Sequence, residues 1–166
     1  MAGLAAGVIL DRPRLRVVRA ELARARARAV AGRALARREL SAAELAERLA
    51  RARVGPAAGG AVLASLERAG LVDDARAARA RAAALAERGY GDAAIAARLE
   101  VAGIDDAHAR DAIAGLEPEI KRARRLVAGE LHALKAGRLL ARRGFGPDVG
   151  EEILDALDSA VDRGLG

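Results

Sequence analysis

The chain of 166 residues has room for one ordinary domain or a short array of small units. It is 52% hydrophobic, much of this Ala, with one Phe, one Tyr and no Trp, so helices can pack closely while each contact buries little area. The absence of Cys excludes disulfides, thiolate metal sites and a Cys nucleophile, and the net charge of +6 is concentrated in residues 1–38, where ten Arg face only Asp11 and Glu21.

Met1 to Leu10 is an apolar run too short to span a bilayer and without the basic start of a signal peptide. A cytoplasmic protein with no membrane partner is therefore expected, its first residues frayed. Pro13 can open a long helix that continues towards Glu39. Leu15, Val18, Leu22, Ala25 and Ala29 form a heptad-like apolar seam along it. Arg12, Arg19, Arg26 and Arg33 recur every seven residues on another face, widened by Arg14, Arg16, Arg24 and Arg28. A solvated face and an electrostatic surface for nucleic acid or an acidic partner are the two readings of this stripe.

Ser41 and Glu44 have the spacing of a capping box, and Leu45, Leu49 and Val54 then face inward. Gly70 closes a helix, and Asp73 or Asp74 caps the next. From Leu85 to Leu116 the chain reads as a helix end, a Gly-Tyr-Gly turn, a short helix, a second turn and a third helix. Gly89 and Gly103 can end helices in the left-handed conformation, and Asp105 is an N-cap with Asp106 in the first turn behind it.

This pattern recurs. Aligning Val54, Ile104 and Phe145 places Leu49, Leu99 and Leu140 five residues earlier. Leu63, Ile113 and Leu154 fall nine residues later, and Leu66, Leu116 and Leu157 twelve later. Gly55-Pro56, Asp105-Asp106 and Gly146-Pro147 each start a helix after the aligned residue. The expected fold is all-α: three tandem three-helix units in an elongated, curved array, preceded by a long basic helix. The divisions are 1–33 for the N-terminus and basic helix, then units at 34–72, 73–117 and 118–166. A monomer is expected.

Catalytic chemistry finds little support. Asp105, His108 and Asp111 are spaced so that only neighbouring pairs meet, short of the three or four convergent ligands a metal requires. Ser41, Ser65 and Ser159 lack a nucleophile-elbow context, and no Gly-rich segment runs into Lys-Ser or Lys-Thr. No catalytic residue, metal or cofactor is expected. Surface charge remains: Lys121, Arg122, Arg124 and Arg125, then Lys135, Arg138, Arg142 and Arg143. With Arg19, Arg26 and Arg33 they are the candidate contacts to nucleic acid or an acidic partner. Few aromatics are available to stack bases, so phosphate contact without sequence reading is the expected mode.

Four stretches, RRELSAAELAERL, LERAGLVDDAR, RGYGDAAIAARLEVAGI and KAGRLLARRGF, occur in this order within residues 34 to 157. In them the chain resembles the RecX family, regulators of the RecA recombinase. The resemblance implies tandem three-helix units and a non-enzymatic protein that binds RecA or its nucleoprotein filament. It implies modulation, usually inhibition, of strand exchange and ATP hydrolysis in DNA recombination, repair and the SOS response. A helical DNA-binding module acting through phosphates without RecA is the alternative. The chain departs from the family at Ala77 and Ala78, where an aromatic is usual, and at Ala136 and Gly137.

Overall fold

The structure, a computed structural model, describes residues 11–130 and 132–162, with side chains to 159. The apolar run from Met1 to Leu10 lies outside the described residues. The described residues are helical, without strands, and divide into two compact units that meet at Val72 and Asp73.

The first unit holds α1 (Arg12–Leu35), α2 (Ala42–Arg51) and α3 (Pro56–Arg68). Asp11 starts α1 by accepting from the N–H of Arg14 at 2.8 Å, with Pro13 in the first turn. The capping box forms at α2: Ser41 Oγ accepts from Glu44 N at 3.1 Å, and Glu44 accepts from Ser41 N at 3.3 Å. Leu40, Leu45, Leu49, Val54, Val62 and Val72 build the core together with Ala27, Ala31 and Ala34 of α1.

The long basic helix precedes α2, and its C-terminal half also packs as one of the first unit's three helices. The face that packs is not the apolar seam. Leu22 is 65% exposed, and Ala25 and Ala29 are exposed, while Ala27, Ala31 and Ala34 are buried. Small side chains at i, i+4 and i+7 let α1 approach α2 and α3 closely, which a Leu on that face would prevent.

The second unit holds six helices in two triplets. The first triplet is α4 (Asp74–Glu87), α5 (Asp92–Val101) and α6 (Asp106–Ala114). Its core joins Ala78, Ala82, Leu85, Ile95, Leu99, Ile104 and Ala112. Ala77 and Ala78 are both buried, so small residues fill the places where an aromatic was expected. The second triplet is α7 (Glu119–Leu126), α8 (Ala133–Arg143) and α9 (Pro147–Asp162), around Ala123, Val127, Ala136, Leu140, Phe145 and Ile153. Ala136 is fully buried, and a Cβ on Gly137 would meet Leu154 at 3.5 Å, so these small residues are packed rather than idle.

The alignment read from sequence has a backbone counterpart in each triplet. The N–H groups of Val54, Ile104 and Phe145 donate to the carbonyls of Leu49, Leu99 and Leu140 at 3.0, 3.1 and 3.1 Å. The residue before each, Arg53, Gly103 or Gly144, is left-handed, with φ of 56°, 70° and 74°. This is the Schellman arrangement that ends a helix and turns the following apolar residue inward. Deepest burial then falls at Val62, Ala112 and Ile153, one residue before the expected Leu63, Ile113 and Leu154, which pack at the core's edge.

Candidate functional site

The basic stripe of α1 separates into three environments. Arg19 is exposed and has no bonded partner among the described residues. Arg26 reaches across its unit and donates to Ala52 O at 2.8 Å, closing the C-terminal end of α2. Arg33 borders a depression of about 480 Å³ together with Arg37, Arg48 and Arg51, over a floor of Val30, Ala34 and Ala52. Sequence reading missed Arg37, Arg48 and Arg51. The available signal was two pairs of Arg at helical spacing, 33/37 and 48/51, with nothing to show that the pairs meet.

The cluster at 121–125 is largely engaged within the fold. Arg122 is corrected from a candidate contact to a buried structural cation, 3% exposed. Its Nε donates to Glu117 O at 2.9 Å, one Nη donates to Tyr90 O at 2.8 Å, and the other pairs with Asp92. Glu119 completes this joint, accepting from the N–H of Asp92 at 2.6 Å and from that of Gly146 at 3.4 Å. Arg124 pairs with Glu152 at 2.8 Å, and Arg125 with Glu117 at 2.7 Å. Lys121 is exposed.

On α8, Lys135, Arg138 and Arg142 are all exposed and form one basic face. Arg143 leaves it, donating to Arg88 O at 2.8 Å and lying 5.2 Å from the centre of the Tyr90 ring. Arg98 and Arg88 face the same ring at 4.1 and 5.6 Å. Three guanidiniums thus occupy the surroundings of the chain's single Tyr, leaving it poorly placed to stack on a base.

The acidic residues near both His serve helix ends. Asp105 accepts from the N–H of His108 and from its ring, both at 2.9 Å. The N–H bond, then the ring, holds the Asp105 carboxyl below its ordinary range. The N–H of Arg76 does the same for Asp73, and that of His132 for Glu130. Among the described residues no three His, Asp or Glu side chains converge as a metal set, and no helix is long and apolar enough to cross a membrane.

No family model matches the chain, and no curated protein matches its sequence. Solved structures do match in fold. The crystal structure of RecX from Lactobacillus salivarius superimposes with a TM-score of 0.72 at 18% identity, over 82% of this chain and 97% of that one. A crystal structure of regulatory protein RecX gives 0.76 at 19% identity, over 92% of this chain and 83% of that one. The chain has the all-α fold of these RecX structures.

Proposed function

We propose that this protein is a RecX-type regulator that binds RecA or its filament on DNA and modulates recombinase and ATPase activity, in the inhibitory direction. The observation that carries the reading is the shared fold with RecX crystal structures over most of both chains. The four resembling sequence stretches support it from a separate direction. The protein acts in the cytoplasm, and it acts by binding rather than by chemistry of its own. A regulator of this kind shifts the filament only by its preference between filament states. The exposed face of Lys135, Arg138 and Arg142 suits contact with DNA or an acidic groove of the filament.

A RecA ATPase assay on single-stranded DNA, titrated with this protein, tests the reading. Falling ATPase and strand exchange are expected, with weaker inhibition after charge reversal at Lys135, Arg138 and Arg142. Those exposed charges contribute little to stability, so the variant stays folded. The strong basic excess of residues 1–38 favours a second reading, a DNA-binding module independent of RecA. Unchanged RecA activity, together with salt-sensitive binding to naked duplex, would replace the first reading with the second.

A further inference from the structure

We infer that the depression between the C-terminal turns of α1 and α2 is a phosphate site that takes the sugar–phosphate backbone of a nucleic acid. The inference rests on the reading above for its setting, and deepens it by naming a face that meets DNA.

Arg33, Arg37, Arg48 and Arg51 border this one depression of the first unit, and all four are exposed. Nearby carboxylates neutralise little of that charge. Glu47 pairs with Arg51 at 2.5 Å. Glu44 is committed to Arg38 at 3.0 Å and to the backbone of Ser41. The guanidiniums of Arg33, Arg37 and Arg48 have no bonded partner among the described residues.

A structural role would be to complement the negative C-terminal ends of the two helices. Several of the backbone carbonyls there are served by other donors. Arg26 bonds Ala52 O at the end of α2. At the end of α1, the N–H groups of Ala36 and Arg37 bond Gly32 O and Ala34 O at 3.0 and 3.2 Å. The donors of three guanidiniums are therefore left over at the rim of one depression.

Guanidinium forks match phosphate oxygens in charge and geometry. The floor of Val30, Ala34 and Ala52 offers no side-chain polar group to read a base edge, and no aromatic lines the depression. Such a site recognises backbone rather than bases. A nucleic acid fits better than a phosphorylated side chain because the charge does not stop at the depression. Arg12, Arg16 and Arg19 continue it, exposed, along the same side of α1, a helix about 36 Å long at 1.5 Å per residue. One phosphorylated side chain would use one end of this track; a polymer uses its length.

The test is binding of labelled duplex and single-stranded oligonucleotides by the full chain over a salt series. Arg33→Gln, Arg37→Gln and Arg48→Gln are combined in one variant. Arg68→Gln, Arg79→Gln and Arg110→Gln, combined in another, remove the same charge elsewhere. The site variant should bind duplex about tenfold more weakly than the control variant, with a salt slope shallower by up to about 2.7, near 0.9 for each of three lost phosphate contacts. Its thermal midpoint should hold or rise, since three like charges no longer repel. Equal losses in the two variants would overturn the assignment in favour of general charge. Tighter binding of a phosphoserine peptide than of duplex would overturn it in favour of a phosphoprotein. The assay contains no RecA, so its failure is separate from a failure of RecA inhibition, which the wild-type ATPase titration reads.

Discussion

At the residue scale, Arg122 shows how a cation in a basic cluster can serve the fold alone. Its guanidinium satisfies the carbonyl of Glu117 between α6 and α7, and the carbonyl of Tyr90 and the carboxylate of Asp92 at the turn between α4 and α5. Removing it leaves those acceptors short of a donor in a mostly closed site, and a buried ion pair broken on one side is costly. Asp92 keeps 37% of its side-chain exposure, so water recovers part of the loss. Arg122→Ala should therefore cost about 3 kcal/mol, the low end for a broken buried pair. Urea unfolding would measure it. A salt slope for duplex binding equal to wild type should accompany it, under conditions where the variant is folded. Full stability with a flattened slope would return Arg122 to the DNA-contacting set.

Helix ends dominate at the scale of the element. Gly70, Gly89, Gly103 and Gly144 are left-handed at helix ends, and Arg53 alone among the described non-Gly residues does the same. An L-residue with a Cβ is strained in that conformation, whereas Gly is not. The Arg53 side chain is exposed, so its loss removes no packing. Arg53→Gly should stabilise the first unit by about 1 kcal/mol, read as a higher denaturant midpoint. A lower midpoint would mean that the unfolded chain's gain in freedom outweighs the relieved strain. Gly144 carries a second demand. A Cβ there would lie 2.4 Å from that of Ala94, and one on Gly91 would lie 2.3 Å from Gly144 O. The N–H of Gly91 also donates to Arg143 O at 2.9 Å. Two backbones meet there, and both positions need the missing side chain.

At the scale of the whole molecule, hydrophobic burial among the described residues is divided among three local cores rather than gathered into one. Thin, Ala-rich cores rest on a few large residues each, and Phe145, 7% exposed, is the largest in the third. Phe145→Ala should cost about 3–5 kcal/mol. The loss should appear first in α7 to α9, because stability in such arrays depends on neighbours. Hydrogen exchange would show this as extra opening across residues 118–159, with protection of residues 11–72 retained. Loss of protection spread evenly over both segments would refute a local third core.

The features legible in the sequence were those set by residues close together in the chain. Ser41 with Glu44, Asp105 before its helix, Gly89 and Gly103 at helix ends, and the spacing from Leu49 to Val54 all act over about five residues. Within that range side-chain chemistry and backbone sterics leave few alternatives, so the order of the helices and the repeat could be read directly. Tertiary structure alone decided which face of α1 packs. Leu22 is more hydrophobic than Ala27 or Ala31, but only the small residues allow close approach. It also sorted the arginines. Arg26 finds its carbonyl 26 residues away and Arg122 its carboxylate 30 away. Arg33 and Arg37 share a depression with Arg48 and Arg51 only because α1 and α2 end side by side. An Arg stem is long enough to turn to water, a carbonyl or a phosphate, so its surroundings, rather than its spacing, determine which of these it serves.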